Sequence, residues 1–414
     1  MIAASIFLSS CDNDTGEAPM TSGFTVTIEN VFTGKSHFQG DALGAVPPGM
    51  DMSINFQAGK GHYLSFTTML AQTNDLFFAP DDMGIPLYDM DGNALTGDVT
   101  NMIELWDAGT EVNEEPGVGP NQAPRQNDPN SGMDENGNIQ NIDDVNDGFS
   151  YPDVDEMIMV ELSHDGETTF TLKIYNLSNA TALESPFAPG AWSVHGSGVS
   201  LFTIDMPASE AIERMAEDGQ NTMLTDDITN DAGYVSPFAP GVFAVFDGSN
   251  PIFMNGAMAS DALEALAEDG NTSLFDLGSV DGVSSSGVFS MPVGAGAPAP
   301  IFPGDSYSFS IDAEEGDMLS FASMLIQTND LFVAPMTVNL FNNGAAVSGD
   351  ITSQISLWDA YTEENEFPGA GNYQAPRQPG PDMGMNESGD VSQVGDSFTY
   401  PAISEMIRVT ITNN

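Results

Sequence analysis

Six acidic residues fall in two matched sets of polar segments. Gln72-Thr73-Asn74-Asp75 is followed downstream by Trp106-Asp107-Ala108-Gly109-Thr110-Glu111, and the same order returns with Asp330, Asp359 and Glu363. Apolar anchors flank each polar centre: Leu76, Phe77 and Phe78 beside the first segment, Leu105 and Trp106 beside the second. Hard cations take several oxygens, mainly carboxylates and carbonyls, at about 2.3–2.6 Å. A carboxylate just before a strand, with two more four residues apart in a turn, can converge on one such ion. Asn74 can add an amide oxygen. The same residue types also build turns and caps through bonds to nearby backbone. Residue types alone therefore leave both uses open.

Other chemistries find little support. The four histidines are His37, His62, His164 and His195, and the closest two are 25 residues apart, so no H-E-x-x-H motif exists. A single cysteine, Cys11, excludes a disulfide framework and a cysteine zinc cage. There is no G-x-S-x-G elbow and no Gly-rich phosphate loop, and no histidine lies in a repeated polar segment, so a Ser-His-Asp triad has no support. A carboxylate pair for glycoside hydrolysis cannot be singled out among 61 Asp and Glu. The expectation is that the protein is not an enzyme. Asp89-Met90-Asp91-Gly92-Asn93 begins like an EF-hand loop but lacks the closing Glu, and reads as a turn. Arg125 and Arg377, each within A-P-R-Q, are expected to form a structural ion pair with the acidic site; a turn or sheet-edge contact is the other reading.

The 414 residues carry 7 Lys and Arg against 61 Asp and Glu, a formal charge of −54. Nucleic acid is excluded as a partner, because its binding rests on cationic side chains that neutralise phosphates. Attraction to an anionic membrane surface fails for the same reason. With 41% hydrophobic residues and 25 Phe, the chain can nonetheless bury sizeable cores. Divalent cations and saline surroundings suit such a surface. The 23 Met are scattered and read as core filler. No apolar run reaches 18 residues, so no transmembrane helix is expected.

The elements that must position the acids come in duplicate. LSFTTMLAQTNDLFFAP (64–80) recurs as LSFASMLIQTNDLFVAP (319–335), with 13 identities in 17. LWDAGTEVNEEPGVGPNQAPRQ (105–126) recurs as LWDAYTEENEFPGAGNYQAPRQ (357–378), with 16 in 22. FTVTIENV (24–31) is echoed by FTLKIYNL (170–177). Contiguous reading gives two homologous domains, 24–164 and 170–414, the second with an insertion at 183–290. That insertion is itself duplicated: SPFAPGAWSV (185–194) with SPFAPGVFAV (236–245), and PASEAIERMAEDG (207–219) with MASDALEALAEDG (258–270). Ser209 and Ser260 as N-caps, with Gly219 and Gly270 as stops, predict short amphipathic helices. Elsewhere short alternating strands separated by Gly, Pro, Asn and Asp predict an all-β fold of antiparallel β-sandwiches. Phe24, Val26 and Ile28, with Ile54 and Phe56, are expected on the inner faces. Segments 127–148 and 379–396 read as mobile surface loops of differing sequence.

Residues 1–11, MIAASIFLSSC, are a short apolar run ending in small residues and the only cysteine. Leu8-Ser9-Ser10-Cys11 resembles the lipobox of bacterial lipoproteins, which implies lipidation of Cys11. An ordinary secretory leader or a chance cysteine are the alternatives. The missing basic residues imply a true start upstream. Residues 12–23 read as a polar tether.

The repeated segments, LSFTTML, TNDLFFAP and LWDAGTE followed by QAPRQ, are similar to the spondin domain, the N-terminal module family named after F-spondin. The resemblance covers essentially all of 24–164 and, around the insertion, 170–414. It implies a C2-like sandwich with bound Ca2+, held by Asp75, Asp107 and Glu111 in one domain and by Asp330, Asp359 and Glu363 in the other. Glu111 and Glu363 depart from the family's aspartate but can still ligate. The cysteines of vertebrate members and any thrombospondin repeat are absent. The implied function is a non-catalytic calcium-binding adhesion or interaction module, lipid-anchored at the bacterial envelope (outer membrane or cell surface) or secreted. Its partner would be an extracellular protein or glycan. The alternative is a carbohydrate-binding or polysaccharide-processing accessory protein.

With its native upstream codons restored, the wild-type protein should fractionate with membranes, because the two or three acyl chains of a lipoprotein cysteine suffice for stable anchoring. Cys11→Ser should appear in the soluble fraction or as an uncleaved precursor. Wild type free in the medium with an unmodified thiol would replace lipidation by plain secretion.

Overall fold

The computed structural model describes residues 20–414, so Cys11 and residues 12–19 of the expected tether lie outside the described residues. The remainder of that tether is not a linker: Thr21, Ser22 and Gly23 already pair with Glu314, Ala313 and Asp312. Pairs of only two residues aside, the strands of the first half are β1 Thr21–Asn30, β2 His37–Leu43, β3 Asp51–Gln57, β4 Tyr63–Met69, β5 Leu76–Ala79, β6 Glu104–Asp107, β7 Ile158–His164, β8 Thr169–Asn176 and β9 Gly190–His195. Those of the second half are β10 Gly241–Phe246, β11 Val283–Phe289, β12 Ser306–Glu314, β13 Met318–Met324, β14 Leu331–Pro335, β15 Ile355–Asp359 and β16 Ile407–Asn413. Among the described residues three helices exceed one turn: α1 Glu210–Asp218, α2 Thr222–Asn230 and α3 Asp261–Asp269.

The strands assemble into two all-β units of matching topology. In unit 1 a four-stranded sheet runs β3-β8-β7 and ends on Gly97–Asp98, and a seven-stranded sheet runs β2-β9-β4-β5-β6 and ends on Gln140–Asn141. In unit 2 the corresponding orders are β12-β1-β16, ending on Gly349–Asp350, and β11-β10-β13-β14-β15, ending on Ser392–Gln393. All these pairings are antiparallel.

This assembly corrects the domain boundaries read from the sequence. β1 belongs to unit 2, where Phe24 faces Ile311 and Asn413 across its two ladders. β8, expected to open the second domain, instead pairs with β3 and β7 in unit 1. The 183–290 segment is not an insertion into one domain. Its first copy supplies β9 and α1 to unit 1, and its second supplies β10 and α3 to unit 2. Unit 1, roughly 36–232, is therefore nested in the chain between β1 and the rest of unit 2. FTVTIENV and FTLKIYNL are interchangeable in pattern, so composition cannot tell which sheet each joins.

Burial explains each element's sequence. The four-stranded sheets alternate, as in the buried Phe24, Val26 and Ile28 and the buried Phe170, Leu172 and Ile174. One face meets the core and the other meets water. Phe56 is buried as expected and Ile54 partly so. The central strands of the seven-stranded sheets have no exposed face: all six residues of β9 and of β10 are buried, whereas the edge strands β2 and β11 are only partly covered. One side packs on the four-stranded sheet, around Phe66, Phe78 and Phe170 in unit 1. The other packs under a helix, where Ile212 and Met215 of α1 meet Met69 and Phe77. The Ser209 hydroxyl accepts from the Ile212 amide, and Gly219 closes α1 at φ 65°, left-handed backbone that favours glycine. α3 is capped identically by Ser260 and Gly270. α2 is an addition to the expected helices, and it packs on β2 and β9 through Ile228. The units touch where Phe38 meets Phe367 edge-on at 6.1 Å, and where Gly59 lies against Ala370. A Cβ at Gly59 would stand 2.1 Å from the Ala370 carbonyl oxygen.

Residues 36–232 expressed alone should fold as a monomer with cooperative urea unfolding, because they hold both sheets of unit 1. Residues 24–164, which lack β8 and β9, should be unfolded or aggregated by circular dichroism and gel filtration. A cooperative transition in 24–164 would contradict the nested assignment.

Candidate metal centre

Asp75 stands immediately before β5, and Asp107 ends β6, so the antiparallel pairing of Leu76 with Asp107 brings the two carboxylates to one end of the sheet. The tryptophan before Asp107 pins that end. Its indole N–H donates to the Ala79 carbonyl at 3.2 Å, and its ring packs on Phe202. Unit 2 repeats this with Trp358, whose indole donates to Ala334 at 2.9 Å.

The two oxygens of Asp75 have unlike surroundings. Oδ2 accepts from the Thr110 amide at 2.7 Å, the Thr110 hydroxyl at 3.0 Å and the Glu111 amide at 3.1 Å. Oδ1 is buried and has no hydrogen-bond partner. Asp330 shows the same arrangement: three donors from Thr362 and Glu363 on Oδ2 and none on Oδ1. Asp107 accepts from the Gly109 amide at 2.7 Å and the Asn113 side chain at 2.6 Å, and Asp359 from Tyr361 and Asn365 likewise.

Glu111 and Glu363 are placed differently from the expected ligand set. The Glu111 carboxylate is buried and committed, with Oε1 accepting from the Gly132 amide at 2.7 Å and Oε2 from Asn74 at 3.1 Å. Gly132 must be glycine for this, since a Cβ there would stand 2.1 Å from the carboxylate. Glu363 makes the same contacts with Gly384 and Asn329. Each aspartate pair is thus brought together at the sheet end, while each glutamate ties the following loop to the turn. Among the described residues, the group of three acids whose oxygens all lie within 4.8 Å of one another is a different one, Glu264, Glu268 and Asp382.

Several participants were not singled out in the sequence. Segments 127–148 and 379–396 differ in sequence and are mostly exposed, as expected of surface loops, yet part of each is built onto the site. Glu135 and Gly137 donate to the Thr110 and Gly109 carbonyls at 2.9 and 2.7 Å, and Glu387 and Gly389 donate to Thr362 and Tyr361. A hollow of about 310 Å³ beside Asp107 is lined by Glu135, Gln140, Asp144 and Asp147. The signal was the shared Gly-Met-x-Glu-x-Gly at 132–137 and 384–389. Arg125 and Arg377 do not form the expected ion pair. Arg125 donates to the Gly119 carbonyl and to the side-chain oxygens of Gln72 and Gln122, and Arg377 repeats this with Gly371, Gln327 and Gln374. Gln122 in turn donates to Asn74 Oδ1, so the Q-A-P-R-Q segment braces the turn from behind. Asp89-Met90-Asp91-Gly92-Asn93 is a turn, with Asp89 accepting from the Asp91 and Asn93 amides. His195 and Ser65 approach to 2.8 Å, but both are buried and the second ring nitrogen faces the Gly196 carbonyl, where a triad would have a carboxylate.

Burial raises the proton affinity of these acids. Asp75 is held well above the carboxylate range by desolvation and then by the Asp107 carboxylate. Asp107 is raised by desolvation and by Asp147, and Glu111 mainly by desolvation. Asp359 is raised by desolvation and by Asp330, and Glu363 is pushed up to about 7. The three hydrogen bonds on each Oδ2 work against the rise without cancelling it. Either a proton or a cation relieves such a pair.

Compared with known proteins, the chain matches no protein-family model and no curated protein. Fold and site together define an all-β protein of two nested antiparallel sandwiches, each with a buried aspartate pair at one sheet end.

These acids hold protons in the folded state at pH values where the unfolded chain has released them, so stability falls as pH rises. Without divalent cations, the melting temperature should decline between about pH 4.5 and 7.5. Asp359→Asn should melt above wild type at pH 7.5 in chelator, with the gap closing toward pH 5. A gap that persists unchanged at pH 5 would show that Asp359 is not the titrating burden.

Proposed function

We propose that this is a non-catalytic calcium-binding protein of the cell envelope or extracellular space. In this reading its paired sandwiches serve adhesion or interaction with an extracellular protein or glycan, and a lipid on Cys11 holds it to the membrane. One observation carries the calcium reading: in both units a fully buried aspartate keeps one oxygen without any donor, beside a second aspartate. A buried anion pair lacking a counter-charge is strongly unfavourable. A cation at Asp75 and Asp107, or at Asp330 and Asp359, removes that cost. The surrounding groups are oxygens, from Glu135, Gln140 and Asp147 beside Asp107, and oxygen donors suit Ca2+ over softer metals. The resemblance to spondin domains points to the same aspartates. Glu111 and Glu363, engaged with loop amides, would act by shaping the loop.

The test is a melt with calcium and with chelator. Extracellular sites have dissociation constants of about 0.1–1 mM. Calcium at 100 times such a constant stabilises by about 2.7 kcal/mol per site. Asp107→Asn and Asp359→Asn should each abolish one site and leave the other. An unchanged wild-type melt, with no metal found by elemental analysis, defeats the reading.

A further inference from the structure

A separate group of acids lies along one side of α3, with Glu264 in its first turn and Glu268 near its end. Glu264 and Glu268 are one turn apart and face the loop after Gln378. Asp382 of that loop completes three carboxylates whose oxygens lie within 4.8 Å of one another. Glu268 is the decisive member: it is 2% exposed, and its Oε1 has no hydrogen-bond partner. No basic residue stands in the last turn of α3. At Glu268 the negative pole of the helix C-terminus adds to the unfavourable field. Burial first, and then the Glu363, Glu264 and Asp382 carboxylates, push Glu268 up to about 8, in keeping with a missing counter-charge. The loop is held in place independently of the cluster, since Gln378 donates to Asp269 at 2.8 Å.

Unit 1 provides an internal comparison. The repeat aligns Glu213 and Glu217 with Glu264 and Glu268, and Asn130 with Asp382. The backbone is preserved, with φ 52° at Asn130 and 53° at Asp382. The charges are not. The Asn130 amide donates to Glu213 Oε1 at 3.5 Å. Arg214, whose counterpart is Ala265, pairs with Glu210 at 2.6 Å on the same helix. Unit 1 therefore offers an amide and a guanidinium where unit 2 offers a third carboxylate and a methyl group.

We propose that Glu264, Glu268 and Asp382 bind a hard divalent cation, Ca2+ or Mg2+, at a site present in unit 2 and absent from unit 1. Three carboxylates with no nitrogen or sulfur donor match that class, and waters complete the shell on the open side, where Asp382 is exposed. The site goes beyond the aspartate-pair reading and does not depend on it. The two lie close, because Thr362 donates to Asp330 and also stands beside Glu268. Ion counting therefore separates them better than a melt does.

The experiment is equilibrium dialysis of the full chain against Ca2+, and separately Mg2+, with bound metal measured by mass spectrometry. Asp382→Asn copies the unit 1 residue at an exposed position, so it should keep the wild-type melt in chelator and bind one ion fewer. Asp359→Asn should lose a different ion, and the double variant both. Loss in Asp382→Asn but not in Asp359→Asn supports this site while removing the aspartate-pair reading. An Asp382→Asn protein that retains the wild-type count with both metals overturns the proposal.

Discussion

The central strands of each seven-stranded sheet are buried on both faces, and that constraint organises the rest of the molecule. A sheet with no polar face needs a second sheet on one side and a helix on the other before any of its strands is stable. In unit 1 those covers are β3-β8-β7 and α1 with α2; in unit 2 they are β12-β1-β16 and α3. Residues 36–232 contain a full set, whereas the set of unit 2 is split, with β1 coming from before unit 1 and every other strand from after it. The nested connectivity is the arrangement that supplies each sheet with both covers. The aspartate pairs inherit the constraint: Asp75 and Asp107 are buried at the sheet end, so their charge cannot be left to water.

Much of this was legible in the chain. The doubled segments located both aspartate pairs, the Ser and Gly caps located α1 and α3, and alternation located the inner face of β1. What was not legible depended on partner choice. β1 and β8 carry the same alternating pattern, so only pairing shows that β1 reaches past all of unit 1 to join unit 2 while β8 stays in unit 1. The loops at 127–148 and 379–396 looked dispensable because their sequences differ. Their contribution is mostly backbone amides, which any residue provides, anchored at the two glycines that admit Glu111 and Glu363. Arg125 and Arg377 misled for a related reason. In so acidic a chain an arginine suggests a carboxylate partner, whereas these two satisfy carbonyl and amide oxygens of their own turn and of Gln72 or Gln327.

The two units keep the same aspartate geometry while diverging on the neighbouring helix. Asp75 and Asp330 are superimposable in role, down to the three donors on one oxygen and the bare second oxygen. Around α1 and α3 the backbone is equally preserved, yet the charge balance differs through Asn130 against Asp382 and Arg214 against Ala265. Duplication has thus held one set of chemical demands fixed and relaxed another in the same fold.

The antiparallel pairing of β1 between β12 and β16 also has a mechanical meaning. Thr25 faces Thr412, and the Asn414 amide donates to the Gly23 carbonyl, so the chain near Met20 and the last residues emerge side by side. Tension entering along β1 from upstream would load two ladders of hydrogen bonds in parallel, in shear, and would not peel them one at a time. Unit 1, whose connections leave from the far end of β1, lies beyond that clamp, so a pull at the N-terminal side is borne first by unit 2.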